Sequence, residues 1–311
     1  MKLKKRITLP ILFSVALLSC KTDNPAPANA ENSSLLVQPI QTDGNYAAAD
    51  KKHYVVRNTQ KHLNKLLLFI GGSSSNPADY NLISDHGATI GLDVINLSYP
   101  NEVAAAPLGS SSDKFIFDNY REEVCFGTPV SNAVTVDVFN SITTRATKLI
   151  QYLKATYPAQ NWGQYLTAAN TLQWSKIIVA GHSQGSGHAC YLGKKNLVDR
   201  VVMFSGPNDY SSYYAAAGNW LTVSGQTPLT KQFALLHTQD EIVPFSNQVV
   251  NLKGLGLLEA NQNPTLVDNL LAPYSNAHVL SLNILALSNH SSTVGGNALL
   301  PNVWTYLFTS L

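Results

Sequence analysis

Ile177-Ile178-Val179-Ala180-Gly181-His182-Ser183-Gln184-Gly185-Ser186-Gly187-His188-Ala189-Cys190-Tyr191-Leu192 is the stretch on which the fold of this chain turns. Four consecutive apolar residues read as a short strand buried on both faces. The residues after Ser183 have helical character, so Gly181 to Gly185 forms a G-x-S-x-G turn between strand and helix. A serine at the apex of such a turn sits in a strained backbone conformation. Glycines two positions to either side leave room for the helix and for an approaching carbonyl. Ser183 is therefore a candidate nucleophile. The five-residue pattern is common by itself, and the strand and helix around it give it weight.

A serine hydroxyl is a poor nucleophile at neutral pH and needs a histidine to take its proton, with a carboxylate to orient that histidine. Phe233-Ala234-Leu235-Leu236-His237 reads as a strand running out into Thr238-Gln239-Asp240-Glu241-Ile242-Val243-Pro244. Asp240, just past the strand end, is the candidate acid. Glu241 and Asp209 are the competing acids, and a plain turn-capping aspartate before Pro244 is the bland reading. Eight histidines compete for the base. His53, His62 and His86 precede the nucleophile, and His182 and His188 are tied to the elbow and its helix. His237 and His278 belong to strands. His290 lies in a loop between the last strand and the last helix, and it completes the order Ser, Asp, His. An oxyanion site needs two aimed backbone donors. One is the amide of Gln184; the other falls in Gly71-Gly72-Ser73-Ser74-Ser75 after the strand at residues 65–70, with Gly72 or Ser73 as donor.

Short apolar runs at residues 54–56, 66–70, 92–99, 177–180, 201–204, 233–237 and 278–284 alternate with helix-like stretches. This rhythm predicts an α/β domain with a mainly parallel sheet and helices on both faces. Helices are expected over residues 132–157, from the stripe Val134, Val138, Ile142, Leu149 and Leu153, and over 184–195 and 298–308. Two insertions, 101–128 and 208–230, follow strands on the side where open α/β sheets place their sites. Their aromatics Phe115, Phe117, Tyr120, Tyr210, Tyr213, Tyr214 and Trp220 suit either a pocket wall or a small core under a loop.

The 311 residues are 45% apolar and 13% charged, with a net charge of +2, and much of the basic excess lies in Lys2, Lys4, Lys5 and Arg6. A nucleic-acid partner is not expected, since that would need a basic face on the folded part. The basic start, the apolar stretch 7–18 and Leu17-Leu18-Ser19-Cys20 read as an export signal, residues 1–19, too short to span a bilayer. The last four residues resemble a bacterial lipobox, which implies lipidation of Cys20 and a cell-envelope lipoprotein held at the membrane through that anchor. Residues 20–45, rich in Pro, Ala, Asn and Ser, are expected to be a flexible tether, and residues 46–311 the folded domain. Of the remaining cysteines, Cys125 and Cys190, a disulfide is permitted in an oxidising compartment. A small buried residue packed on the sheet is the plainer reading of Cys190.

With these parts assembled, residues 54–311 resemble the α/β-hydrolase superfamily, in particular its bacterial secreted esterase-like members. The resemblance rests on Ile70-Gly71-Gly72-Ser73, the elbow Gly181 to Gly185, Asp240 ahead of Ile242-Val243-Pro244, and His290. It implies a sheet of about eight mostly parallel strands and an acyl-enzyme mechanism. The His-Gly that often precedes the oxyanion loop is Ile70-Gly71 here, so the supporting histidine is missing from that place. The expected activity is that of a serine hydrolase acting on carboxylic esters, small or polymeric, with no metal or organic cofactor. A peptidase or polysaccharide deacetylase could use the same machinery, and a non-catalytic binding lipoprotein could use the same scaffold.

Overall fold

Leu66 to Ile70 carries no polar side chain because all five residues are fully buried, as expected of a strand covered on both faces. In the computed structural model, which describes residues 31–47 and 50–310, this strand lies within a nine-stranded sheet. In chain order the elements are β1 (Asn32–Val37), the one-turn helix α1 (Pro39–Thr42), β2 (His53–Asn58), β3 (Leu66–Ile70), α2 (Asn81–Thr89), β4 (Asp93–Leu97), α3 (Ile116–Phe126) and α4 (Ile142–Thr156). Then follow β5 (Ile177–His182), α5 (Gln184–Lys195), β6 (Arg200–Phe204), the two-residue strands β7 (Tyr210–Ser211) and β8 (Ala216–Ala217), and β9 (Gln232–His237). The chain closes with α6 (Phe245–Leu255), β10 (Thr265–Leu266), β11 (Val279–Leu282), the short α7 (Asn289–Ser292) and α8 (Leu300–Thr309).

The sheet order is β1-β2-β4-β3-β5-β6-β9-β11-β10. β2 runs antiparallel to both of its neighbours, and every other pairing is parallel. The sheet is thus mixed and one strand wider than the expected eight. Its parallel part sends the C-terminal ends of β3, β5, β6, β9 and β11 to one edge, where the loops bearing every candidate site residue emerge. Side chains alternate across the sheet. Leu66, Leu68 and Ile70 join a core with Leu149 and Leu153 of α4, Leu192 of α5 and Leu252 of α6. Leu67 and Phe69 join a second core with Ile83 of α2 and Val303 and Leu307 of α8. Helices therefore cover both faces.

Two expectations need correction. Residues 31–45 are not all tether: Asn32 to Val37 pairs in antiparallel register with β2, from Asn32 opposite Asn58 to Val37 opposite His53. The edge of the sheet supplies backbone partners that composition alone does not reveal. The helix expected over 132–157 begins only at Ile142, where the Ser141 side chain accepts the Thr144 amide. The preceding loop is held by the buried Glu123 carboxylate, which accepts the amides of Val130, Ser131 and Val136 at 2.7–3.0 Å. Val134 and Val138 mimicked a helical stripe, but Val138 is half exposed. The expected export signal and the candidate lipidation site Cys20 lie outside the described residues, among which no helix is long and apolar enough to cross a membrane.

The aromatics of the insertions divide between the two readings. Phe117, Tyr120 and Trp220 are buried in the core, whereas Phe115, Tyr213 and Tyr214 are exposed. Tyr214, Phe117, Ile116 and Asn219 border a cavity of about 240 Å³ between the two insertions. Cys125 and Cys190 are both free and buried.

Candidate active site

The strand-to-helix turn at Ser183 is dictated by close backbone packing. A β-carbon on Gly181 would lie 2.2 Å from the Gly185 carbonyl oxygen, and one on Gly185 would lie 2.0 Å from that of Ile70. Only glycine admits such approach. Ser183 itself adopts φ 56°, ψ −123°, a left-handed region that costs a side-chain-bearing residue about 1–3 kcal/mol. The neighbours hold it there: its amide donates to Phe204 O at 2.8 Å, and its carbonyl accepts from the Ser186 amide and hydroxyl.

Asp240 and His290 meet across the ends of β9 and β11. His290 Nδ1 donates to Asp240 Oδ2 at 2.7 Å, and both side chains are buried. Asp240 also does what a turn aspartate does: its Oδ1 accepts the Ile242 and Val243 amides at 2.9 and 2.8 Å. Gln248 Nε2 donates to Oδ2 at 2.9 Å. Burial pushes this carboxyl up, but the hydrogen bond from His290, its charge, and the two amides outweigh burial and leave Asp240 below the usual carboxylate range. The competing acids are engaged elsewhere. Glu241 accepts the His290 amide and the Ser288 hydroxyl, fixing the loop rather than the ring. Asp209 is fully buried against Arg121, whose Nε donates to Oδ2 at 3.0 Å and Nη2 to Oδ1 at 2.5 Å, while Trp220 Nε1 donates to Oδ2 at 2.7 Å. Arg121 also donates to the Gln184 carbonyl at 2.8 Å, so the two insertions are clamped onto the first turn of α5.

The candidate base His290 and the candidate nucleophile Ser183 are on the same edge but are not hydrogen-bonded to one another among the described residues. Ser183 Oγ instead lies 3.3 Å from the side-chain amide of Asn208. The amide orientation that satisfies both ends has nitrogen donating to Ser205 O at 3.1 Å and oxygen accepting from Gln184 N and Ser183 Oγ, each at 3.3 Å. Asn208 was not among the sequence candidates. Its place after β6, next to the elbow strand, was the available signal.

The candidate oxyanion loop is brought against Ser183: a β-carbon on Gly72 would lie 3.1 Å from Ser183 Cβ. Of the two expected donors, the Gly72 amide is committed elsewhere, donating to Tyr80 Oη at 2.7 Å in a buried bond. The Ser73 amide has no protein partner among the described residues, whereas the Gln184 amide points at the Asn208 oxygen at 3.3 Å, a long contact that an incoming oxyanion would have to displace. Gln184 contributes its side chain as well, Oε1 accepting from Ser73 Oγ at 2.7 Å and from the Ala105 amide at 3.2 Å. The loop is braced from behind by Tyr99 Oη on Gly71 O, Asn101 Nδ2 on Gly72 O and Lys51 Nζ on Ser74 O, at 2.7–3.0 Å. At the N-terminus of α5, the helix dipole adds positive potential where the Gln184 amide points.

His182, set aside as a base because it is tied to the elbow, is buried beneath the site. Its Nδ1 lies 3.2 Å from Tyr80 Oη, and its Nε2 lies 3.0 Å from the carbonyl oxygen of His290. Strand alternation could have found it, because Ile178, Ala180 and His182 share one face of β5. Burial, together with the nearby His290, lowers its pKa to about 4. Comparison of the sequence with protein-family models and with curated proteins finds no match.

Proposed function

We propose that this chain is a serine hydrolase of the α/β-hydrolase type acting on carboxylic esters. The single observation that carries the reading is the 2.7 Å bond from His290 Nδ1 to Asp240 Oδ2, set on the sheet edge from which strained Ser183 projects. The order of the strands supports it, with the nucleophile after β5, the acid after β9, the base after β11 and the oxyanion loop after β3.

In this mechanism Ser183 Oγ leaves Asn208, gives its proton to His290 Nε2 and attacks the acyl carbon. Asp240 holds the Nδ1–H tautomer and stabilises the imidazolium. The amides of Gln184 and Ser73 receive the oxyanion. His290 then protonates the leaving alkoxide, and water repeats the sequence on the acyl-enzyme. Catalytic hydrogen bonds are often long before substrate binds, which accommodates the Ser183–Asn208 contact.

That same contact is what favours the second reading, a binding protein on this scaffold with an idle serine. A fluorophosphonate probe separates the two. Labelling of the wild type that vanishes in Ser183→Ala supports the hydrolase; an unlabelled wild type, or labelling that persists in Ser183→Ala, overturns it. Export and membrane anchoring through Cys20 are proposed from the sequence. Incorporation of an alkyne-tagged fatty acid in cells, lost in Cys20→Ala, is the expected result.

A further inference from the structure

Three loops must keep register for the proposed chemistry: the Ser73 loop, the elbow and the His290 loop. One buried chain of hydrogen bonds joins all three, and its direction is fixed by what each group can donate. The Gly72 amide can only donate, and it does so to Tyr80 Oη at 2.7 Å. At the other end the His290 carbonyl can only accept, so His182 Nε2, at 3.0 Å, must carry a proton. A neutral His182 then has a bare Nδ1, and the group facing it at 3.2 Å is the Tyr80 hydroxyl, which must donate. The chain therefore runs Gly72 N–H to Tyr80 O–H to His182 Nδ1, and from His182 Nε2–H to the His290 carbonyl. The last acceptor is shared with Ser205 Oγ at 2.7 Å, so the loop bearing the base is held from two sides.

We propose that His182, as its neutral Nε2–H tautomer, is a positioning residue that ties the loop presenting the Ser73 amide to the loop presenting the His290 ring across Ser183. This rests on the hydrolase reading above. The position before Gly71 is Ile70, and His182 reaches the Gly72 amide only through Tyr80. Protonating it would place Nδ1–H against Tyr80 Oη and compete with the Gly72 amide for the same oxygen. Burial keeps it neutral near pH 7. The groups facing it are Tyr80, its ring tilted at 54° with centroids 5.6 Å apart, and His290, at 4.9 Å, with Asp240 beyond. Misplacing reacting groups by about an ångström can cost on the order of 10²-fold in rate.

The test uses the full chain with p-nitrophenyl acetate as substrate and phenylboronic acid as a probe that forms a tetrahedral adduct on serine. Tyr80→Phe is expected to leave KM within about twofold, lower kcat about tenfold and weaken the boronate by about the same factor. His182→Phe should lose about 100-fold in both, with Tyr80→Phe adding little on top. His182→Gln, whose amide can donate to the His290 carbonyl and accept from Tyr80, should recover to within a few-fold of wild type. The proposal is overturned if Tyr80→Phe and His182→Phe lower thermal stability while kcat and boronate affinity hold, or if His182→Gln rescues nothing. Nitrogen-15 NMR of wild-type His182 decides independently of activity. A protonated Nε2 and a bare Nδ1 at pH 7 are expected, and the reverse tautomer sinks the proposal even if His182→Phe fails to fold. Should fluorophosphonate leave the wild type unlabelled, the hydrolase reading fails, and the NMR still judges the hydrogen-bond chain.

Discussion

Asp240 divides its carboxylate between two tasks: Oδ1 caps the turn through the amides of Ile242 and Val243, while Oδ2 takes the Nδ1 proton of His290 at 2.7 Å. An asparagine can keep its oxygen on the two amides, but its nitrogen then faces an N–H it cannot accept. That nitrogen also faces the Gln248 side-chain amide, so Asp240→Asn is expected to cost about 1–3 kcal/mol of stability and to lower kcat on p-nitrophenyl esters by about 10⁴. A kcat within tenfold of wild type would remove Asp240 from the mechanism.

Ser183 combines φ 56° with a β-carbon. Relieving that conflict should stabilise the fold while abolishing activity. Ser183→Gly is expected to raise the urea-unfolding free energy by roughly 1 kcal/mol over Ser183→Ala, which keeps the strain. Equal stability of the two variants would show that the elbow stores no backbone strain.

Arg121 and Asp209 form a bidentate ion pair with both side chains fully buried, and Arg121 also caps the Gln184 carbonyl. Removing one partner strands a charge in the interior. Arg121→Met and Asp209→Leu should each destabilise by about 3–5 kcal/mol, and the double variant should regain most of that loss. Additive losses in a double-mutant cycle would contradict this account.

Burial lowers His182 to about 4 and His53 to about 3, and it also pushes His188 well below its ordinary value. The unfolded chain takes up these protons first as pH falls, because its histidines titrate near 6.5. Stability is therefore whole above pH 6.5 and is lost progressively down to the folded values. Each histidine contributes up to about 1.4 kcal/mol per pH unit in that window. Urea melts between pH 7 and 5 should show a slope of two to three such contributions, with His182→Gln removing about one. A flat profile would mean that these histidines are not buried neutral.

The sequence by itself determined what is local. The apolar runs marked β3, β5, β6 and β9 because a strand covered on both faces must be apolar along its length, and Gly181-x-Ser183-x-Gly185 marked the elbow because only glycine tolerates carbonyls at 2.0–2.2 Å. It also set the order in which Ser183, Asp240 and His290 appear, which a parallel sheet converts into a common edge. Tertiary structure alone decided which groups pair. Gly72 and Ser73 are adjacent and alike in sequence, and only the approach of Tyr80 spends one amide and leaves the other free. For His182 and Asn208 the sequence marks at most a place, a strand face and a strand end, and not a partner, because the groups they meet lie 108 and 25 residues away. Strand β1 was invisible for the same reason: Leu35, Leu36 and Val37 are a short apolar run inside a Pro-, Ala-, Asn- and Ser-rich stretch, and the segment becomes a strand because β2 offers an open edge. Backbone shape and burial are written in neighbouring residues; the direction of a hydrogen bond is settled only when distant donors and acceptors are brought together.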